Sequence, residues 1–362
     1  MEIKRIKLPF VVKKTVLALG AQAKNTVCFA GGDSAFLSGV HADLSRPKDF
    51  LAFTKDVKYF LKHRPKIIAF DLHPEYSSTK YANQLTAYSL QLTAVQHHHA
   101  HIASCMAENG LKNQKVIGVA FDGTGLGTDG RLWGAEFFLC DYKDFKRAAH
   151  LKEIPLVGGE RAILEPWRLV EAWFDFKHTA KGGRLKKIYQ AGVNSPFSSS
   201  MGRLFDVVAS LVLAKCKANF EAELAIELER LATCYPSTAL GASELRATSH
   251  KFKIIKNNGE YIIDPLPMLK EIVVDLKKNV AREKIAYRFH LTVAEMIKKT
   301  CLILKKIRKT NTVVLSGGVF QNKLLLRLAL DLLYQEKFKV LTHRDLSSND
   351  SGISLGQAVI AG

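Results

Sequence analysis

The chain has 362 residues, 53 Lys+Arg against 34 Asp+Glu, a formal net charge of +19, and 47% apolar and 24% charged residues. That much apolar side chain excludes a disordered chain, and no apolar run approaches the ~18 residues a membrane helix needs. At about 150 residues per domain, the length suits two lobes or one large domain.

At the amino end Lys4, Arg5, Lys7, Lys13 and Lys14 precede the apolar stretch Thr15–Gly20, which mimics the start of a secretion signal. The stretch is short and contains Gly20, so a first strand, Thr15–Leu19, accounts for it better. Val27–Ala30 and Ala35–Val40 read as further short strands, separated by Gly-Ala-Gln and Gly-Gly-Asp turns. Pro47–His63 carries Phe50, Phe53, Val57, Phe60 and Leu61 at helical spacing. Lys66–Phe70 reads as a buried strand, followed by the loop Asp71–Pro74 and a helix near Thr79–Ala87. Strand Thr93–Gln96 leads into a helix from His97 to Asn109, closed by Gly110.

The second half opens similarly. Strands Lys115–Phe121 and Arg131–Cys140 flank a glycine-rich turn, Asp122–Gly130. A mostly helical stretch, Ala162–Leu231, has a loop near Ala191–Ser200, and the region around Tyr261–Pro267 is less legible. Helix Arg288–Arg308, strand Thr312–Leu315, helix Asn322–Gln335, strand Phe338–Thr342 and a helix from about Ser351 complete the order. Strands followed by helices, twice over, predict an α/β architecture, and the repeated hairpin-first unit suggests the duplicated phosphate-binding fold of actin and sugar kinases.

Cys28, Cys105, Cys140, Cys216, Cys234 and Cys301 are scattered with no CxxC pair, which points to free, mostly buried thiols in a reducing cytoplasm. Basic clusters at Lys181–Lys187, Lys251–Lys256, Lys277–Lys284 and Lys298–Lys309 read singly as solvated helix faces, Lys298, Lys299, Lys305, Lys306 and Arg308 among them. Their sum points to an anionic partner.

Four constellations could carry chemistry. In His97-His98-His99-Ala100-His101, a helix opening at His97 puts His97 and His101 on one face, fit for one metal ion, and turns His98 and His99 away. The turn after Phe121 has glycines at 123, 125 and 127, with Thr124 and Thr128 for hydroxyls and Asp122 for a metal or phosphate. In Ser316-Gly317-Gly318-Val319-Phe320-Gln321-Asn322 a buried strand breaks at two glycines before a helix, which offers free amides to a phosphate but lacks the P-loop pattern. Asp350 either caps the last helix or binds metal, and spacing does not decide.

Taken together, these residues resemble the carbamoyltransferase part of the HypF family of hydrogenase maturation proteins, related to tRNA threonylcarbamoyl-transfer proteins and antibiotic O-carbamoyltransferases. The likeness includes Phe70–Pro74, Gln96–His101, Phe121–Gly125, Glu165–Arg168, Ser200–Asp206, Ser316–Asn322 and Asn349-Asp350. It implies an α/β duplicated actin-like ATPase (ASKHA) fold, two lobes with a central cleft. Residues 1–111 form the first lobe, and residues 112–362 the second, with a helical insertion at about 160–300. His97, His101, Asp122 and Asp350 match the family's metal ligands, for iron or zinc. Gly123, Thr124, Gly125, Asp206, Gly317, Gly318 and Asn322 match its nucleotide contacts.

The implied activity is transfer of a carbamoyl group from carbamoyl-adenylate, made from ATP, to the terminal cysteine of a HypE-like acceptor protein. The HypF domains that make the adenylate are not matched here, so a separate adenylate-forming protein is expected to supply it. Two alternatives stand: a tRNA-modifying carbamoyl transferase, favoured by the charge, and a non-catalytic nucleotide-binding subunit. Asp122 and the strings Glu165–Arg168 and Val319–Asn322 speak against nucleic acid as the partner.

Overall fold

The computed structural model describes residues 2–85, 90–235 and 249–362. In its first part lie strands β1 (Lys4–Ala18), β2 (Ala23–Asn25), β3 (Cys28–Leu37), β4 (His41–Asp43), β5 (Ile67–Asp71) and β6 (Gln91–Val95), with helices Pro47–Leu61 and Ser77–Gln84 between them. The principal sheet here has the order β3-β1-β5-β6. Strands β7 (Val116–Leu126), β8 (Leu132–Cys140), β9 (Phe145–Leu151), β10 (Ile154–Pro155) and β11 (Phe197–Ser198) follow, then β12 (Lys253–Asn257), β13 (Glu260–Asp264), β14 (Thr312–Ser316) and β15 (Lys339–Leu341). They build a nine-stranded sheet ordered β12-β13-β9-β8-β7-β14-β15, with β10 and β11 off this path.

The two sheets repeat one wiring. A leading strand (β1 or β7) pairs antiparallel with β3 or β8 on one side and parallel with a crossover strand, β5 or β14, on the other. A second parallel strand, β6 or β15, completes each set. A helix follows each: His97–Glu108 after β6, and Ile353–Ala361 after β15. This is the duplicated α/β actin-like arrangement expected from the sequence.

Helix His97–Glu108 is buried from His97 to Ala107. Ile102, Ala103 and Met106 share a core with Val16, Ala18 and Ala69 of the first sheet, Ala120, Phe138 and Val314 of the second, and Leu355 and Ala358 of the last helix. Burial of each large apolar side chain stabilises this placement by about 1.5–3 kcal/mol. A Cβ on Gly356 would lie 1.9 Å from the carbonyl oxygen of Ala100, so only glycine lets the two helices meet backbone to backbone.

Some expectations need correction. The Gly-Gly-Asp turn does not form: Cys28–Leu37 is one strand, because β1 carries extra residues between Lys7 and Val16 and Gly32 opposite takes φ +61, bending the ladder without ending it. β1 starts at Lys4, well before Thr15. The long helix begins at Arg282 rather than Arg288, and the less legible region is the hairpin β12–β13. Lys298 is not on a solvated face; it is buried, with its ammonium 2.6 Å from Glu295. The helix expected at Thr79–Ala87 is Ser77–Gln84, and residues 86 and 87 lie outside the described residues. All six cysteines are free, with Cys216 and Cys234 exposed. Among the described residues, no helix is long and apolar enough to cross a membrane.

Candidate metal and nucleotide site

The Gln96 side chain accepts a hydrogen bond from the His99 amide at 2.8 Å and caps the helix, so His97 is its first residue. His97 and His101 consequently face the same way, with ring centroids 5.1 Å apart. The other two histidines turn aside: Nδ1 of His98 lies 3.1 Å from the Gln96 amide nitrogen, and Nε2 of His99 donates to the Asp141 carbonyl at 2.7 Å.

Strand pairing delivers Asp122. The turn expected to begin there is shorter, since β7 runs on to Leu126. Phe121 pairs with Ala135, and the next pair is Gly125 with Trp133, so Asp122, Gly123 and Thr124 bulge out opposite Gly134. The bulge sets Asp122 Oδ2 3.0 Å from Nε2 of His101 and 3.4 Å from Nε2 of His97. Asp350 arrives from the far end of the chain. Asn349, not Asp350, caps the turn Asp350–Gly352 by accepting from the Ser351 amide, which frees the Asp350 carboxylate. Its Oδ1 lies 3.8 and 3.6 Å from the two Nε2 atoms.

One ligand atom from each of His97, His101, Asp122 and Asp350 falls within 4.8 Å of the others. Tetrahedral bonds of 2.0–2.2 Å place ligands roughly 3.4 Å apart, close to these spacings. Nε2 of His97 is buried without a hydrogen-bond partner, while its Nδ1 lies 2.8 Å from Asp71 Oδ2. Two imidazoles and two carboxylates around an orphaned ring nitrogen fit a divalent transition metal. Without one, charge gathers on the side chains. Burial opposes it, but Asp71, Asp122 and Asp350 hold the His97 imidazole well above its usual range, and Asp122 and Asp350 raise His101. Burial likewise works against the Asp122 charge, and the two histidines outweigh it, holding that carboxyl well below its usual range.

The expected nucleotide residues fall in three places. Four glycines lie against the cluster of His97, His101, Asp122 and Asp350 or the strand ends that carry it. The Gly123 amide donates to Asp122 Oδ1 at 2.7 Å. A Cβ on Gly125 would lie 2.5 Å from His98 Cε1, and one on Gly318 would lie 3.0 Å from Asp122 Oδ1. Gly317 has φ +105 and would press a Cβ to 2.2 Å from the Phe121 carbonyl oxygen, so the turn after β14 depends on glycine. Thr124 is half-buried in the bulge, and Thr128 is exposed on the hairpin turn. Asn322 is engaged elsewhere: it caps helix Lys323–Gln335 through Leu325, and its amide lies 2.9 Å from His290 Nε2.

Asp206 is buried, with Oδ2 3.1 Å from the Arg203 Nε, and burial pushes its carboxyl up to about 6. Sequence reasoning gave no individual role to Asp71, Arg203, Ser316, Glu108 or His343. The first three lie inside the strings Phe70–Pro74, Ser200–Asp206 and Ser316–Asn322 that carry the resemblance. For Glu108 the one available signal is an acidic residue in the last turn of a helix, where the dipole disfavours it.

A family model described as "Carbamoyltransferase, Kae1-like Domain, second subdomain" matches residues 118–357, and one described as "HypF Kae1-like domain" matches residues 12–108. The chain belongs to the HypF family. Carbamoyltransferase HypF2 of Cupriavidus necator is 35% identical over 381 residues, covering 96% of this chain and 46% of that protein. A carbamoyltransferase HypF homolog of the same organism is 34% identical, covering 96% of this chain and 91% of the relative. A crystal structure of full-length HypF in the phosphate- and nucleotide-bound form superposes with a TM-score of 0.89 at 40% identity, over 99% of this chain and 47% of that one. This chain thus spans about half the length of HypF2 and of the crystallised HypF.

Proposed function

We propose that the chain is a metal-dependent carbamoyltransferase that moves the carbamoyl group of carbamoyl-adenylate to the C-terminal cysteine of a HypE-like acceptor in nickel–iron hydrogenase maturation. The observation that carries this reading is the buried cluster of His97, His101, Asp122 and Asp350 around an orphaned imidazole nitrogen, in a family whose members are named carbamoyltransferases. On this reading residues 1–111 and 112–362 are two lobes, the second with an insertion at about 160–300, and the cluster lies in the cleft. The site of action is the cytoplasm, where the acceptor thiol stays reduced.

The four ligands would hold iron or zinc, which supplies a Lewis acid for a carbamoyl or phosphoryl oxygen. Gly123, Thr124 and Gly125, with Gly317 and Gly318, leave room for the phosphate beside Asp122. Asp206 accepts from the ribose hydroxyls, and Asn322 holds the helix end behind the glycine pair. The acceptor thiolate attacks the carbamoyl carbon, the bond from that carbon to the phosphate oxygen breaks, and AMP leaves.

The test combines this protein with an adenylate-forming domain, carbamoyl phosphate, ATP and a HypE-like acceptor, and reads acceptor mass. One added carbamoyl group is the expected result, with none for His101→Ala. Modification of tRNA instead would support the nucleic-acid alternative, and nucleotide binding with no transfer would support a non-catalytic subunit.

A further inference from the structure

We propose that Glu108, acting through His343 and Ser316, fixes which nitrogen of His101 faces the ligand cluster, and that the same carboxylate fastens the segment carrying Asp350. The inference rests on the metal reading above and deepens it. Glu108 ends the helix that begins at His97, and its side chain has no exposed surface. One carboxylate oxygen accepts from the backbone amides of Arg344, Asp345 and Leu346, and the other lies 2.7 Å from Nδ1 of His343. Nε2 of His343 lies 2.8 Å from the Ser316 hydroxyl, which lies 3.3 Å from Nδ1 of His101.

The chain has one direction. An ionised carboxylate only accepts hydrogen bonds, so Nδ1 of His343 carries a proton, and in the neutral ring Nε2 keeps the lone pair. The Ser316 hydroxyl then donates to that Nε2 and can only accept from Nδ1–H of His101. Nδ1 of His101 thus carries a proton, and Nε2, which points at Asp122 and Asp350, is the nitrogen whose lone pair a bound metal would take. Metal-binding histidines are oriented by such partners on their other nitrogen.

Helix stability does not explain Glu108, since a negative charge at a helix C-terminus opposes the macrodipole. Burial also opposes the charge, but hydrogen bonds from His343, Arg344 and Asp345 hold its carboxyl below the usual range. From the clamped amides the chain runs to Ser348, whose carbonyl accepts from the Gly317 amide at 3.0 Å, and then to Asp350. Glu108 is therefore a positioning residue for a ligand on its own helix and for one at the far end of the chain.

The test is zinc affinity by chelator competition, with unfolding temperature recorded, for wild type, Glu108→Gln, Ser316→Ala and Ser316→Thr. Both Glu108→Gln and Ser316→Ala should bind zinc about 10–100-fold more weakly, and Ser316→Thr, which keeps the hydroxyl, should recover most of the loss. If Glu108→Gln fails to fold, Ser316→Ala, which removes one oxygen, decides. Equal zinc affinity in wild type and Ser316→Ala overturns the relay and leaves the metal reading intact. A wild type that takes up neither zinc nor ferrous iron ends the metal reading instead. The relay is then judged from the ¹⁵N ring shifts of His343 at mildly alkaline pH: a proton on Nδ1 upholds it, and a proton on Nε2 overturns it.

Discussion

Nδ1 of His97 lies 2.8 Å from Oδ2 of Asp71, and neither side chain has exposed surface. Asp71 is the last residue of β5 and His97 the first of the helix after β6, so a parallel strand pair brings an anion under the imidazole. The contact leaves Nε2 pointing at Asp122 and Asp350.

Asp71→Asn keeps a hydrogen-bond acceptor but removes the charge. It should weaken zinc binding by about 10–100-fold, read by chelator competition. His101→Ala should lower metal content sharply, whereas His99→Ala should not, because Nε2 of His99 is bonded to the Asp141 carbonyl. Equal losses from the two alanine variants would dismiss the four-ligand assignment.

Gly318→Val should abolish the thermal protection given by ATP. Because a Cβ there would lie 3.0 Å from Asp122 Oδ1, it should also reduce bound zinc. Nucleotide-dependent melting unchanged from wild type would place the phosphates elsewhere, and full zinc content would show that Asp122 gives way without loss.

Nucleotide affinity should depend on pH through Asp206, whose carboxyl is pushed by burial from 3.8 up to about 6. A ribose hydroxyl donates to the ionised form, so ATP binding should be flat above about pH 6 and weaken as pH falls through that value. The raised value has the opposite sign for folding: this group's contribution is fully present below 3.8 and lost as pH rises through about 6. Calorimetric titrations of ATP across this window should show the slope in wild type and a flat profile in Asp206→Asn. A sloping profile in the variant would assign the dependence to another group.

Carbamoyl phosphate should not drive ATP cleavage to AMP and pyrophosphate by these 362 residues alone, since the two family models occupy 12–108 and 118–357. Pyrophosphate release assays with and without an adenylate-forming domain check this. With an acidic acceptor present, the net charge of +19 should make the transfer rate fall as salt rises. Pyrophosphate from the chain alone would show that it makes its own adenylate. A salt-independent rate would remove the basic surface from acceptor docking.

Local order was legible wherever the physics is local. The i, i+4 spacing of His97 and His101 fixes a shared helix face whatever surrounds it, and the Gln96 cap starts that helix where the sequence places it. The strand-to-helix break at Gly317 and the repeated strand-helix order were equally readable, because apolar periodicity and glycine positions are written in neighbouring residues. Asp350 was not decided by spacing, since a carboxylate beside a helix start can cap or coordinate, and only the structure assigns the cap to Asn349.

The tertiary structure decided the rest. Asp122 points inward because β7 and β8 pair with a bulge, a property of two strands together that no run of one strand contains. Gly32 bends a continuous strand instead of ending it for the same reason. Asp71, Ser316, His343 and Glu108 gain their roles from parallel crossovers that bring β5, β14 and the segment after β15 against one buried helix. The sequence by itself determined which residue types lie on which helix face or turn. Long-range strand pairing, which fixes where side chains distant in sequence meet, determined which of them gather in one buried cluster.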